Sequence, residues 1–349
     1  MITIFFVLVN WFMTFYNHNI LQSGYSLGLS DLYNLKINFI TGTLSGLLAG
    51  IIGGSALVFV NDRYFRKKSY GYALKATFVA YTIVFILVTI SMSFLNSRLD
   101  LGSEANLVEL FDHSSIYMLS KMTLIFYFFW GTLTVLVTLF LQISNKFGPG
   151  MLGRFLAGRY HQPHEEERIF MFMDMKSSTV IAEKIGNERY FNLLNDLFND
   201  ITEAVLSCDG EIYQYVGDEI VISWSLDKGV KRENCLRCFQ KARQTLVDLA
   251  PYYQSKYDVT PSFKAGLHHG LVTAGEVGSI KKDIVYSGDV LNTASRIQEQ
   301  CNHYQVDFLV SKETLDLLGD DISFEPIYLG NIELRGKRTK INLNTVKPK

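Results

Sequence analysis

Charge of either sign has almost no surplus in this sequence: 33 Lys and Arg stand against 34 Asp and Glu, a net charge of -1. So neutral a chain has no bulk electrostatic hold on nucleic acid, and no nucleic-acid partner is expected. Cysteine is scarce as well. Of Cys208, Cys235, Cys238 and Cys301, only Cys235 and Cys238 form a Cys-x-x-Cys pair, inside the helically periodic "RENCLRCFQKARQTL". No second pair or histidine tail completes a zinc set, so helix packing is the expected role. Reduced thiols of this kind fit a cytosolic domain. Charge is also nearly missing from three long apolar stretches, which argues against a transporter or channel, whose paths carry intramembrane ionisable groups.

What is present is a sharp division. The 349 residues are enough for two domains, and hydrophobicity is concentrated in the first 145. Residues 37–60, 76–95 and 122–143 each approach or exceed the roughly 20 residues needed to cross a hydrocarbon core. Residues 2–16 lack the basic start and small-residue cleavage site of a signal peptide, so they are expected to form a further span. The expectation is a membrane domain over 1–145 with four transmembrane helices, a connector over 146–167 and a soluble domain over 168–349. The loop "NDRYFRKKSYGYALK" is strongly basic, whereas the loop after residues 76–95 carries Asp100, Glu104, Glu109 and Asp112. The positive-inside rule then puts the soluble domain in the cytoplasm of a multi-pass protein of the inner or plasma membrane, in contact with membrane lipid.

Gly42, Gly46, Gly50 and Gly54 recur every fourth residue of the stretch over 37–60. Such a face lets helix backbones approach closely, either between two copies or within one bundle. In the connector, Gly148-Pro149-Gly150 should interrupt the last helix. A short amphipathic piece over 151–160 follows, as a transmitter of motion or as a plain linker.

The soluble half begins with "RIFMFMDMKSST", an apolar strand candidate that ends in Asp174. A helix follows, with Tyr190, Leu194, Leu197, Ile201 and Val205 on one stripe. "EIYQYV" and "EIVISWS" are two strands joined by Gly217 and Asp218, a hairpin signal. A helix over about 231–250 and strands at 262–268 and 271–277 complete a ferredoxin-like βαββαβ order, an α+β fold class beside an α-helical membrane domain. In that arrangement the first strand neighbours the hairpin, so Asp174 and Asp218 converge. Singly, each has an ordinary explanation as a helix cap or a turn residue. Together, with no basic residue assigned between them, they repel unless cations fill the gap, and hard oxygen ligands suit Mg²⁺ or Mn²⁺. Two such ions can clamp an in-line displacement at phosphorus. "MKSST", with Ser178 and Thr179, leads into a helix whose free N–H groups favour a polyphosphate. In "VYSGDVLNTASRIQEQC", Asn292 and Arg296 share a helix face and suit a ribose and a phosphate. Lys337 in "LRGKRTK" is a second candidate contact for a polyphosphate.

The pieces "FMDMKSST", "YQYVGDEIVISW", "FKAGLHHG", "SGDVLNTASR" and "LRGKRT" stand in the order and spacing of a family. Through them residues 168–346 resemble the class III nucleotide cyclase catalytic domain, that of adenylate and guanylate cyclases. The resemblance implies two metal ions per site, held by Asp174 and Asp218 with the carbonyl of Met175. It implies that Asn292 orients the ribose, that Arg296 stabilises charge on the α-phosphate, and that Lys264 and Lys337 meet the triphosphate. It further implies a homodimer whose site takes the aspartates from one chain and Asn292 and Arg296 from the other. The sequence departs from the family at the base-reading positions. Gln214 stands where adenylate cyclases usually have Lys, and Val285 where they have Asp or Thr; guanylate cyclases usually have Glu and Cys. ATP is the expected nucleoside triphosphate, with a guanylate or dual-specificity cyclase as the alternative. A catalytically silent nucleotide-binding sensor and a diguanylate cyclase are the other readings, and Asn292 with Arg296 counts against both.

Overall fold

The structure is a computed structural model of the chain, and it describes all residues except 1, 23–34, 56–69, 103, 148–150, 281, 320 and 334–339. The basic loop near residue 65, the Gly-Pro-Gly and Lys337 therefore lie outside the described residues. The chain divides into two compact units, Met1–Phe147 and Gly148–Lys349.

The first unit is helical: α1 Ile2–Gln22, α2 Leu35–Leu48 with a π-helical turn over Ala49–Gly53, α3 Tyr70–Leu101, α4 Leu107–Met118 and α5 Lys121–Phe147. Among the described residues three helices are long and apolar enough to cross a membrane: Leu35–Gly53, Tyr70–Leu101 and Lys121–Ser144. The expected first span is present as the 21-residue α1 but is not among these three. Its second half carries Asn17, His18 and Asn19, which dilute its hydropathy. α4 lies in the loop where no element is expected; Asn106 and Glu109 start it as a reciprocal capping box. The glycine face of α2 meets α1. A Cβ at Gly46 would stand 3.0 Å from the Cα of Val7, and one at Gly50 2.6 Å from the Cα of Thr3. Of the two uses open to that face, close packing inside one chain is the one realised here.

The second unit opens with α6 Met151–Leu156 and the long β1 His164–Met175, followed by α7 Ser178–Ile185 and α8 Asn187–Leu206. The hairpin β2 Glu211–Val216 and β3 Glu219–Ser225 leads to α9 Asn234–Asp248 and α10 Ala250–Tyr257. Then come β4 Phe263–Val277, β5 Asp283–Ser287, α11 Asp289–Glu299, β6 Phe308–Ser311, α12 Lys312–Leu318, β7 Phe324–Glu333 and β8 Lys340–Pro348. The sheet has eight strands in the order β2-β3-β1-β4-β6-β8-β7, with β5 paired to β4. Its first four strands are in the expected βαββαβ arrangement, with β1 between β3 and β4 and antiparallel to both.

β1 reads as a continuous apolar run because both of its faces are covered. Ile169, Met171, Met173 and Met175 join the core under α8 and α9, and Phe170 and Phe172 join a second core with Val290 and Ala294 of α11. Two expectations need correction. The strands at 262–268 and 271–277 are one strand, because Gly270 between them continues the ladder with Arg168. The buried stripe of α8 is Leu193, Leu197, Ile201, Ala204 and Val205, so Tyr190 and Leu194 sit at its margin and are only partly buried. All four thiols are unpaired and buried, with Cys235 and Cys238 on the packed face of α9, the expected role.

α11 lies almost on the backbone of β4. A Cβ at Gly266 would stand 2.3 Å from the Gln298 nitrogen and 2.5 Å from the Ala294 oxygen. Because both are backbone atoms, Gly266→Ala must push the helix away, at a cost of about 1–3 kcal/mol. The substituted protein is expected to exchange the amides of 289–299 faster than wild type, while amide exchange in β2 and β3 is unchanged. Unaltered protection over 289–299 in Gly266→Ala would contradict this close approach.

Candidate active site

Strand register assembles the site. At the end of β1, Asp174 stands opposite Glu219 on β3 and opposite Lys264 on β4. Directly opposed residues point to the same face of a sheet. The Lys264 Nζ lies 3.3 Å from Asp174 Oδ2, and the Gln298 amide of α11 donates to the same oxygen at 3.2 Å. Asp218, in the hairpin turn beside Glu219, comes within hydrogen-bonding reach of the Asp174 carboxyl. The turn depends on Gly217, whose φ of +64° suits a residue without a Cβ.

Crowding of this kind disfavours ionisation of Asp174 and Glu219. Burial first, then the Asp218 charge, holds the Asp174 carboxyl above its usual range, and Lys264 offsets part of this. Burial, then Asp174 and Asp218, pushes Glu219 up to about 7, again against Lys264. The expectation of an aspartate pair with no basic residue beside it is thereby corrected: Lys264 belongs to the pair. Its signal was the antiparallel register of β1 and β4. Glu219 and Gln298 went unassigned by sequence reasoning. Glu219 follows Asp218 in "GDE", and Gln298 is a polar residue on the apolar stripe of Val290, Ala294 and Ile297.

The oxygen donors of this pair suit a divalent cation, since Mg²⁺-type ions favour carboxylates and keep positions for phosphate oxygens. Among the described residues no group of three or more His, Cys, Asp or Glu is arranged to hold a metal ion. The aspartate pair therefore needs main-chain or substrate oxygens to complete a coordination shell. Ser178 opens α7 after Ser177, whose left-handed φ of +55° makes the turn. No side chain caps that helix start. Ser178 also bonds to Tyr190, whose phenol burial and the nearby Asp218 hold above its ordinary range.

The remaining expected residues do not join this cluster. Asn292 is exposed and Arg296 half-buried on α11, whose buried side is Val290, Thr293, Ala294, Ile297 and Gln298. Arg296 lies about 200° around the helix from Gln298, and Asn292 about 120°. Gln214 is exposed on β2 next to a register irregularity, and Val285 is half-buried on β5 opposite Gly275.

At the other end of β1, Arg168 is 1% exposed. Its guanidinium meets Glu211 Oε2 at 2.7 Å, Glu166 Oε1 at 3.0 Å and Ser223 Oγ at 3.0 Å, and lies 4.6 Å from the Tyr286 ring centre. Glu211 also takes Arg154 of α6 at 2.8 Å and Lys228 at 3.4 Å. Burial acts to raise the Glu211 carboxyl, but the Arg168 and Arg154 guanidiniums prevail and hold it below its usual range.

The fold and site together define an α+β domain with a βαββαβ core and a carboxylate pair at the end of its central strands. Residues 160–346 match the family described as the adenylate and guanylate cyclase catalytic domain, more than half of the chain, and the chain belongs to that family. Adenylate cyclase 2 of Rhizobium meliloti (strain 1021) is 33% identical over 201 residues, 58% of this chain and 55% of that protein. Adenylate cyclase 1 of the same organism is 28% identical over 187 residues, 52% of this chain and 27% of that protein. The chain thus spans little more than half of one relative and about a quarter of the other. A bacterial light-regulated adenylyl cyclase has a similar fold, with a TM-score of 0.53 at 20% identity over 62% of this chain and 63% of that one.

The crowding of carboxyls has a sign. Glu219 releases its proton near 4.5 when unfolded and near 7 when folded. As pH rises from 4.5 to 7 the unfolded state ionises first, so stability falls across that window. Glu219→Gln is expected to flatten this fall when unfolding is followed in chelator between pH 5 and 7. An equal slope in wild type and Glu219→Gln would contradict the assignment.

Proposed function

We propose that the chain is a membrane-anchored adenylate cyclase that converts ATP to 3′,5′-cyclic AMP and pyrophosphate as a homodimer. The observation that carries this reading is the meeting of Asp174, Asp218 and Lys264 at one end of the sheet. The names of the two Rhizobium relatives support ATP as the substrate.

Asp174, Asp218 and the carbonyl of Met175 would hold two Mg²⁺ or Mn²⁺ ions. Such cations, when bound, neutralise charge on the triphosphate and on the attacking oxygen. The repulsion that raises Asp174 favours their uptake. Ser178 and Thr179, at the uncapped start of α7, present N–H groups to the phosphates. Lys264 exchanges its carboxylate partner for a phosphate oxygen, and Lys337 adds a second ammonium. The ribose 3′-oxygen forms its bond to the α-phosphorus, the bond to the β-phosphate's bridging oxygen breaks, and pyrophosphate leaves. The hydroxyl proton passes to solvent.

Asn292 and Arg296 orient the ribose and stabilise charge on the α-phosphate, a role worth about 10³–10⁵ in rate for an arginine. Their direction on α11, away from Gln298 and Asp174, supports a site shared between two copies. Each copy then gives its carboxylates to the partner's amide and guanidinium. The catalytic unit faces the cytoplasm of the inner or plasma membrane, with α1 as a fourth crossing beside the three apolar helices.

A guanylate or dual-specificity cyclase is the second reading. Gln214 favours it, because an amide both donates and accepts and so meets either purine.

Two tests separate these statements. Asp174→Ala and Arg296→Ala should each be inactive, yet their mixed dimers should regain part of the wild-type activity; no rescue in verified mixed dimers excludes the shared site. With Mn²⁺, ATP and GTP turnover should differ by less than about two orders of magnitude, the worth of a hydrogen bond of ~1.5–3 kcal/mol. Strict preference for one base would mean that residues other than Gln214 and Val285 read it.

A further inference from the structure

The first unit contains a partly open cavity of about 610 Å³ lined by residues of α1, α2, α3, α4 and α5. That size is typical of small-molecule sites, roughly 300–1,000 Å³. Its described lining contains no Asp, Glu, Lys, Arg or His. An ionised guest would find no counter-charge there, in surroundings where charge is costly.

The cavity is long. Its lining on α3 runs from Tyr72 to Asn96, a rise of about 36 Å at 1.5 Å per residue. So modest a volume over that length makes it narrow, suited to a chain and not to a compact ring system. Its middle is apolar, with Val84, Val88 and Phe126. Two lining atoms are buried without a hydrogen-bond partner, Thr77 Oγ1 near one end and Asn96 Oδ1 near the other, and Thr77 is 5% exposed. Buried polar atoms are ordinarily paired, so these two record hydrogen bonds that the protein's own groups do not make. A carboxamide oxygen only accepts, so whatever meets Asn96 Oδ1 must donate.

We propose that this cavity binds a long, uncharged, chain-like amphiphile, with its chain along Val84, Val88 and Phe126 and a hydroxyl or amide N–H of its head donating to Asn96. Lipid surrounds such a unit on all sides, so the guest reaches the cavity by partitioning into the bilayer. The site is independent of the nucleotide chemistry, and its test does not read turnover.

The probe is a 1-acylglycerol with a diazirine in its chain, photolysed with the full-length protein in a neutral detergent and mapped by peptide mass spectrometry. Label is expected on the cavity-lining residues of Tyr70–Leu101 and Lys121–Phe147. Ala80→Phe, which fills the lining, should cut labelling about tenfold, and Asn96→Leu, which removes the acceptor, severalfold. Unlabelled 1-oleoylglycerol should compete at about tenfold lower concentration than oleate at pH 8. The proposal is overturned if label falls only on outward residues such as Ile83 and Leu87. It is equally overturned if Ala80→Phe protein of wild-type helix content labels unchanged, or if oleate competes as well as the glycerol ester. A disulfide between two copies of Ala80→Cys would assign the space to a second copy's helix and overturn it too.

Discussion

Negative charge gathered at one point is the constraint around which the second unit is arranged. Asp174, Asp218 and Glu219 arrive on β1, the hairpin turn and β3, and burial together with neighbouring charge makes Asp174 and Glu219 harder to ionise. Lys264 is brought into the same row by the pairing of β1 with β4 and relieves part of the strain. A site balanced in this way takes up further positive charge readily, which in the proposed reaction a divalent cation would supply. Backbone register sets all of these positions. β1 holds that register because its two faces belong to two different cores, so a slip of one residue would exchange the methionine row for the phenylalanine row.

Much of this was legible in the residues. The apolar run of β1, the Gly217-Asp218 hairpin and the βαββαβ order are local patterns, and they suffice to bring two aspartates together. The partners of those aspartates were not legible. Lys264, Glu219 and Gln298 act through pairings between distant segments, which composition and periodicity do not encode. The single strand β4 was read as two because Gly270 is a breaker signal in isolation, whereas in the sheet it continues a ladder. On α8, a stripe chosen by hydrophobicity alone drifted from the buried face, since Tyr190 is held at the margin by its polar contact with Ser178.

The helical first unit divides in the same way. Length and hydropathy delimit three apolar helices, but the fate of a glycine face depends on which helix arrives there. α1 arrives, and its backbone comes within contact distance of the α2 glycines. Tyr81 plays a comparable part on α3, with its hydroxyl on the Tyr127 carbonyl at 2.5 Å and its ring against Gly131. These contacts rest on surface shape and hydrogen bonds, the forces left to helices in lipid once the hydrophobic effect no longer separates them.

Glu211 holds a different kind of lesson. One carboxylate faces Arg168, Arg154 and Lys228 at once, and Arg168 is sealed inside the sheet with Glu166 as its second acid. Removing the acid alone would leave a guanidinium entombed with too little opposing charge, and removing Arg168 alone would strip the acid of its closest ally. A change at either residue therefore carries a penalty that a matched change at the other would relieve, and the pair pins the base of the strand whose far end leads into Asp218.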